Sequence, residues 1–386
     1  MTSVRILHAS DLHISIYKNE ISTSDKFSHL LDTSTIGPWE FAKLARQAFK
    51  AFRKKMTASS YEPEVLKRLA YFIYDRAREI TFQGRTVVQE GVDKIDAVVL
   101  SGDLATTGND TDIMKVKEFL SSPSDARYPY ENLNHEATLN AVKTPVWFLP
   151  GNHDRFQPTT DWTNVRGGWV PVFFYPGATN FDARLLDFKT NPVAELGAIP
   201  NWDTGSVPLR VVVIAADFSL KQFVDHEGIY GWLAQGRVYE DDDDVLPQLV
   251  AKTEDVIGKH KALGNGVLCL LWAVHFPPGF PHISRSNRLL FEERLIEKAS
   301  QCGVRALLAG HTHEQVRYRK PGMDFDVVCC GTTTQHIPRG ASARNRFQII
   351  DISSSATDGI RIEVENYQYL KAGQAGASMS YFYRED

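Results

Sequence analysis

Six short apolar runs recur along the chain, and each of them is continuous rather than alternating. They occupy residues 4–10, 96–102, 145–151, 209–217, 266–274 and 304–310. A strand that is apolar at successive positions is covered on both faces, as in a parallel sheet packed between other layers. Two later runs, 347–353 and 360–370, alternate more and predict antiparallel strands with one wet face. The chain is therefore expected to build layered sheets.

Helical patterns separate these runs, and this alternation predicts an α/β fold. A first helix is expected over residues 39–55, where an apolar stripe lies opposite a basic face. A second helix is expected to begin at Pro63, because proline is well tolerated in the first turn of a helix. Its apolar face comprises Val65, Leu66, Leu69, Phe72, Ile73 and Ala77.

The 386 residues are expected to form a single domain with two insertions. The insertion at about residues 14–95 is predicted to be helical. The insertion at about residues 155–208 is rich in Gly, Pro, Asn and Trp and has little periodicity. We therefore predict that it forms a loop or cap rather than a separate folding unit.

The bulk composition limits the partners and the location of the protein. A net charge of −4 excludes a whole-molecule basic field for nucleic acid, so nucleic acid is a possible but not a favoured partner. The four cysteines form no CxxC motif, which favours reduced thiols and a cytoplasmic protein. Residues 1–9 lack the long apolar segment of a secretory signal, and the longest apolar stretch, 267–274, is too short to span a bilayer. No membrane partner is expected, and the oligomeric state is left open.

Side chains of metal-ligating type follow five of the apolar runs, at the point where each predicted strand ends. They are Asp11, His13, Asp103, Asn152, His153, Asp154, His275, His311 and His313. In open α/β sheets the carboxyl ends of the strands are where ligands bind. Carboxylate oxygen and imidazole nitrogen suit Mn, Fe and Zn, and two carboxylates, one amide and four imidazoles could hold two ions if one carboxylate bridges them.

The spacing within two of these clusters also favours a shared cavity. Asp11 and His13 are two residues apart, as are His311 and His313. In an extended chain such residues point to the same side, so each pair is expected to face one site. Each motif alone is more often a turn or a surface histidine, but the ordered set after successive strands indicates a metal site.

The five blocks together resemble the pattern of the calcineurin-like metallophosphoesterase superfamily, which reads D-x-H, G-D, G-N-H-D/E, a lone H and G-H-x-H. The resemblance spans residues 11–313 and implies a mixed β-sandwich flanked by helices, in four αββα layers, with a dinuclear metal centre. It implies a first metal held by Asp11, His13, Asp103 and His313. It implies a second metal held by Asp103, Asn152, His275 and His311, with Asp103 bridging the two.

The resemblance also implies a catalytic pair. His153 would face the scissile phosphate, oriented by the adjacent Asp154, and would assist the leaving group after attack by a hydroxide that the two metals generate. A nearby carboxylate is expected to favour the protonated form of His153. Arg155 and His282 are further candidates for contacts to the substrate.

The remaining motifs favour one branch of the superfamily. The tyrosine of purple acid phosphatases is replaced by Thr106, and "GDLATTG" and "PGNHD" lack the arginines and glutamate of the Ser/Thr protein phosphatases. With "HFPP" and "AGHTH", they are most similar to bacterial cyclic-nucleotide and glycerophosphodiester phosphodiesterases. A small phosphodiester is thus the expected substrate, with Mn or Fe favoured over Zn.

Three alternatives stay open. The opening "RILHASDLHIS" resembles DNA-repair exonucleases of the superfamily, and the basic helix predicted at 39–55 could then line a DNA groove. A phosphomonoesterase is less favoured. A non-catalytic binding module on the same fold is least favoured, because such a protein would be expected to lose ligands and none is missing here.

Overall fold

The computed structural model describes residues 2–15, 61–82, 85–106, 110–121, 138–139, 141–155, 193–199, 208–218, 236–238, 245–263, 266–281, 288–335, 344–355, 359–372, 379 and 381–385. Within these ranges the helices are α1 (Pro63–Arg76), α2 (Asp110–Ser121), α3 (Val245–Leu263) and α4 (Glu292–Gln301), with a short 3-10 helix at His153–Arg155. The strands are β1 (Thr2–Ala9), β2 (Glu79–Phe82), β3 (Arg85–Val88), β4 (Ala97–Ser101), β5 (Val146–Leu149), β6 (Val193–Ile199), β7 (Leu209–Ala216), β8 (Val267–Val274), β9 (Ala306–Ala309), β10 (Val316–Tyr318), β11 (Asp326–Cys329), β12 (Arg346–Ser355), β13 (Gly359–Leu370) and β14 (Tyr381–Arg384).

Two six-stranded sheets make up the centre of the described structure. The first has the order β14-β13-β12-β1-β4-β5, and the second has the order β10-β11-β9-β8-β7-β6. The six continuous apolar runs are β1, β4, β5, β7, β8 and β9, and they pair in parallel within their sheets. β12 and β13 pair antiparallel, as predicted from their alternation. The predicted α/β sandwich is therefore confirmed.

The cores show why these strands are apolar at every position. Val211 and Val213 of β7 belong to the core shared by both sheets, whereas the intervening Val212 and Ile214 pack under α3 and α4. On the outer side of the first sheet, Phe72 of α1 meets Phe347 of β12 with ring centroids 4.7 Å apart. Helices thus cover both sheets, which gives the four-layer order.

α1 begins at Pro63, as the sequence predicts, and ends at Arg76. Its buried residues are Val65, Leu66, Leu69, Ala70 and Ile73. The described part of the first insertion is not wholly helical, however, because β2 and β3 form a two-stranded hairpin within it. The helix predicted at 39–55 lies outside the described residues.

The second insertion contains a strand that the loop prediction misses. β6 pairs antiparallel with β7 and forms an edge of the second sheet. Its register shifts between Glu195 and Gly197, which breaks the two-residue period that a strand would otherwise show in the sequence. The division of the chain into one domain with insertions stays a prediction.

The cysteines carry free thiols, as the sequence predicts. None of the four cysteines, all within the described residues, forms a disulfide. Among the helices of the described ranges, none is both long enough and apolar enough to cross a membrane.

Candidate metal centre

The carboxyl ends of five strands bring the predicted ligands together. β1, β4 and β5 supply theirs from the first sheet, and β8 and β9 supply theirs from the second. The Nε2 atoms of His13 and His313 lie 3.3 Å apart, although 300 residues separate them along the chain. The site is therefore built jointly by the two sheets.

Asp11, His13 and His313 form the first group, with ligand atoms within 4.8 Å of one another. The Oδ1 atom of Asp11 lies 3.2 Å from Nε2 of His313 and 3.9 Å from Nε2 of His13. The side chains of Asp11 and His13 are fully buried, whereas that of His313 is 34% exposed. The group is thus open to solvent at His313.

Asp103, His275 and His311 form the second group, also within 4.8 Å. The Oδ2 atom of Asp103 lies 3.2 Å from Nε2 of His275. The Oδ1 atom of Asn152 lies 3.0 Å from that Nε2 and 2.9 Å from Nδ1 of His311. Asp103 also belongs to a third group with His13 and His153, which places it between the first two groups.

The backbone of five of these residues is left-handed. The φ angle is 54° at Asp11, 50° at His13, 51° at Asp103, 69° at His311 and 59° at His313. The expectation that each pair converges because its chain is extended is therefore wrong, although the side chains do converge. Such angles cost about 1–3 kcal/mol each outside glycine and persist only where the surroundings enforce them. They cluster here, at a site where ligand direction matters.

In both carboxylates one oxygen accepts a backbone amide from another ligand segment. Oδ2 of Asp11 accepts the amide of His311 at 3.0 Å, and Oδ1 of Asp103 accepts the amide of His153 at 2.8 Å. The other oxygen of each faces the imidazoles. Each carboxylate is thus fixed through one atom and offers the second to the site.

Three glycines of the motifs leave space that other site residues occupy. A Cβ on Gly102 would lie 2.4 Å from Nδ1 of His275, and one on Gly151 would lie 2.2 Å from Oδ1 of Asp103. A Cβ on Gly310 would lie 1.7 Å from the hydroxyl of Ser10. These glycines are required by close packing, since no side chain fits at such distances.

Burial opposes charge throughout this cluster, and the contacts between imidazole and carboxylate reverse its effect on the pKa of some of the groups. Burial lowers the pKa of His275, but the adjacent Asp103 outweighs it and raises that pKa to about 9. Burial raises the pKa of Asp103, but His275 and His153 outweigh it and hold the pKa well below its usual range. Burial, reinforced by His275, lowers the pKa of His311 to about 3.

The donor set fits metal ions. Oδ1 of Asp11, Nδ1 of His13 and Nε2 of His311 are buried and have no hydrogen-bond partner among the described residues. Buried polar atoms are normally paired, so unpaired ligand atoms in one cluster fit a site that binds metal ions. Oxygen and nitrogen donors without a thiolate suit Mn, Fe or Zn, as the sequence predicts.

His153 lies at the edge of the two groups, with its Nε2 4.0 Å from Oδ2 of Asp103 and 17% of its side chain exposed. Its Nδ1 atom lies 2.6 Å from the carbonyl oxygen of Thr106. Burial lowers the pKa of His153 and outweighs the attraction of Asp103. Asp103 thus favours the protonated ring, as a nearby carboxylate is expected to do, but the net shift favours the neutral ring.

Asp154 contacts backbone amides. Its Oδ2 accepts the amides of Gly151 at 2.8 Å and Leu104 at 3.2 Å, and its Oδ1 accepts the amide of Ala105 at 2.7 Å. Burial, reinforced by Asp103, raises the pKa of Asp154 to about 7, while the three amides oppose this shift. The sequence predicts that Asp154 orients His153, but the partner found for Nδ1 of the ring is the Thr106 carbonyl.

Threonines support the first ligand loop, and the sequence reasoning missed them. The hydroxyl of Thr332 donates to the carbonyl of Asp11 at 3.1 Å, that of Thr334 donates to the carbonyl of Leu12, and that of Thr106 donates to the carbonyl of His13. Thr332 and Thr334 follow β11 in the run "GTTTQ". The three consecutive threonines after an apolar strand are the sequence feature from which this support could have been predicted.

Three predicted features lie outside this description. His282 is not among the described residues, and neither is the basic segment 39–55. Arg155 ends the 3-10 helix, but its side chain is not described. Their roles at the site stay predictions.

Comparisons with known proteins place the chain in a family. The sequence profile of calcineurin-like phosphoesterases matches residues 4–315. A dimetal phosphatase from Danio rerio is 11% identical, with a TM-score of 0.45 and coverage of 94% of this chain and 99% of its own. GAP50, the anchor in the inner membrane complex of Plasmodium, is 11% identical, with a TM-score of 0.40 and coverage of 100% and 89%. No curated protein matches. The sequence profile covers most of the chain, which therefore belongs to the calcineurin-like phosphoesterase family.

Proposed function

We propose that this metal-dependent phosphoesterase is a phosphodiesterase that hydrolyses a small diester of the cyclic-nucleotide or glycerophosphodiester type. The observation that carries the proposal is the position of His153, which lies beside Asp103 and is partly open to solvent. A proton donor beside two metal-ligand groups suits the departure of an alkoxide from phosphorus.

Two metal ions are proposed, with Mn or Fe favoured over Zn. Asp11, His13, Asp103 and His313 would hold the first, and Asp103, Asn152, His275 and His311 would hold the second. When bound, the ions would neutralise phosphate oxygens and lower the pKa of a water molecule between them. The chain contributes the fixed direction of these ligands, through the left-handed backbone and the amides on Asp11 and Asp103.

His153 would act at the leaving oxygen. Hydrogen bonding to the Thr106 carbonyl keeps a proton on Nδ1, so Nε2 is the atom left to face the substrate. Burial disfavours the charged ring, but an anionic phosphodiester beside it would raise its pKa. Substrate binding would thus favour a proton on Nε2 of His153, the atom that faces the leaving oxygen. Arg155 and His282 are proposed as further substrate contacts.

Preference for a diester over a monoester rests on the motifs around the site. Thr106 stands where purple acid phosphatases carry a tyrosine, and here it holds both His13 and His153. The blocks "GDLATTG" and "HFPP" are most similar to phosphodiesterases of small substrates. A cytoplasmic location is proposed on the free thiols of Cys269, Cys302, Cys329 and Cys330.

A substrate screen tests the proposal. The Mn²⁺-loaded protein is assayed on a cyclic nucleotide, a glycerophosphodiester, bis(p-nitrophenyl) phosphate, p-nitrophenyl phosphate and linear DNA. We expect the highest kcat/KM on a small diester and loss of activity after chelation, restored by Mn²⁺ or Fe²⁺. Activity only on the monoester would contradict the diesterase assignment. Preference for DNA, with binding that weakens steeply with salt, would support the nuclease alternative instead.

A further inference from the structure

We propose that Asp154 is a positioning residue, which fixes the 102–106 loop against the 151–153 turn and so aligns a metal ligand and the acid histidine together. The two segments follow β4 and β5 and carry Asp103 and His153. The inference rests on the proposed function only where turnover is measured, because it concerns contacts within the chain.

The carboxylate of Asp154 connects the two segments through backbone amides. Leu104 and Ala105, which donate to it at 3.2 and 2.7 Å, directly follow Asp103. Gly151, which donates at 2.8 Å, directly precedes Asn152. Asp154 is only 2% exposed, so these amides have no ready replacement in solvent. Amides that donate to a carboxylate make charge-assisted hydrogen bonds while it is ionised, and they would be left without a partner if the acceptor were removed.

Two further contacts transmit this connection to the reacting groups. The amide of His153 donates to Oδ1 of Asp103 at 2.8 Å, and its ring nitrogen Nδ1 donates to the carbonyl of Thr106 at 2.6 Å. The loop that Asp154 holds therefore sets both the direction of the Asp103 carboxylate and the orientation of the His153 ring. A shift of this loop would disturb a metal ligand and the acid in one movement.

The same contacts indicate that Asp154 does not take part in the reaction directly. Both of its oxygens accept backbone amides. Only a carboxylate can accept at both of these positions. An asparagine would turn its NH₂ group toward at least one N–H donor and would lose that hydrogen bond. Asp154→Asn therefore removes the connection while keeping the size of the side chain.

The test combines three measurements on Asp154→Asn and the wild-type protein. We expect Mn²⁺ affinity by calorimetry to fall about 10–100-fold, as for residues that orient metal ligands. The kcat on a small diester with an alkoxide leaving group, such as a cyclic nucleotide, is expected to fall about 100-fold with little change in KM, because misplacement of the metal ligand and the acid by about 1 Å has that effect. The NMR signal of the His153 Nδ1 proton, recorded in the Zn²⁺-loaded protein, is expected to shift or disappear.

Asp96→Asn is a matched control. Asp96 is also buried and accepts the backbone amide of Arg5 at 2.9 Å, but it precedes β4, at the end opposite Asp103. We expect this variant to lose stability in thermal unfolding while Mn²⁺ affinity, kcat and the His153 signal stay at wild-type values.

Wild-type Mn²⁺ affinity together with an unchanged His153 signal in Asp154→Asn would overturn the inference, whatever happens to kcat. If the wild-type protein hydrolysed no diester, the proposed function would fail, but the metal and NMR measurements would still decide the role of Asp154. If Asp154→Asn does not fold, hydrogen exchange in the wild-type protein tests the role of Asp154 instead. The amides of Leu104, Ala105 and Gly151 must then exchange slowly, and fast exchange would show that the connection does not exist.

Discussion

The Nδ1 atom of His153 lies 2.6 Å from the carbonyl oxygen of Thr106. A carbonyl only accepts hydrogen bonds, so the ring must carry a proton on Nδ1. Thr106 in turn donates its hydroxyl to the carbonyl of His13. The proposed acid and a proposed metal ligand are thus both held by Thr106. From the sequence, this residue is notable only because it replaces the tyrosine of purple acid phosphatases.

The proposed acid role predicts a dependence on the leaving group. His153→Ala is expected to lower kcat about 10²–10⁴-fold for diesters with an alkoxide leaving group, because alkoxides need a proton to depart. The loss should be much smaller for bis(p-nitrophenyl) phosphate, since nitrophenolate departs unprotonated. Steady-state kinetics on both substrates checks this, with metal content measured in parallel. An equal loss on both substrates would show that His153 acts on binding or metal loading instead.

The packing at Gly151 predicts that one methyl group disables the site. In Gly151→Ala the new Cβ would lie 2.2 Å from Oδ1 of Asp103 and 2.8 Å from Nε2 of His275. We expect kcat to fall about 100-fold or more, because both ligands must move. Gly258→Ala is the control, since Gly258 lies in α3 with no atom near its Cβ position. That variant should keep full activity and gain about 0.5–1 kcal/mol in unfolding free energy, measured by urea titration.

The threonine contacts predict a weaker metal site in Thr332→Val. This change keeps the shape of the side chain but removes the hydroxyl that donates to the carbonyl of Asp11 at 3.1 Å. The left-handed backbone at Asp11 would then lose one of its restraints. We expect Mn²⁺ affinity to fall about 10–100-fold in calorimetry. Thr332→Ser retains a hydroxyl and should bind Mn²⁺ nearly as the wild-type protein does, and equal weakening in both variants would contradict this explanation.

The ion pair between His275 and Asp103 predicts how the metal-stripped protein responds to pH. Folding raises the pKa of His275 from 6.5 to about 9, so the stability it adds is fully present below pH 6.5 and is lost as pH rises through about 9. His313, whose pKa is also raised, acts in the same direction. Asp103, with its lowered pKa, contributes a constant amount in this window.

Urea unfolding of the metal-stripped protein between about pH 7.5 and 9.5 measures this effect, since histidines with a lowered pKa, such as His311 and His153, are neutral there in both the folded and the unfolded state. We expect the free energy of unfolding to decrease across the window, and to decrease less in His275→Asn. A free energy that increased with pH in the wild-type protein would contradict the ion pair.

The sequence identified eight of the twelve strands in the two sheets, six of them because burial on both faces leaves an unbroken apolar run. β4 is buried at every position, and its run was recognisable without any partner strand. β6 was missed because its bulge breaks the period, and β10 was missed because three residues carry no period at all. Residue type and order also identified Asp103, His275 and the other proposed ligands, since few residues bind metals.

What supports those ligands could not be predicted in the same way, because much of it lies in the backbone. The Thr106 carbonyl on His153 and the amides on Asp154 have the same chemistry whatever their side chains. The left-handed angles at Asp11 and His13 are likewise invisible in residue type, since aspartate and histidine usually adopt other conformations. Only the fold specifies which peptide group meets which side chain.

The distance of 300 residues between His13 and His313 has a consequence for the newly synthesised protein. During translation, the first strand and its two ligands leave the ribosome long before the histidines that follow β9 are synthesised. Thr332 and Thr334, which hold the carbonyls of Asp11 and Leu12, follow later still. Contacts this remote form late in folding. We therefore expect the complete set of proposed ligands to form only after the second sheet has closed onto the first.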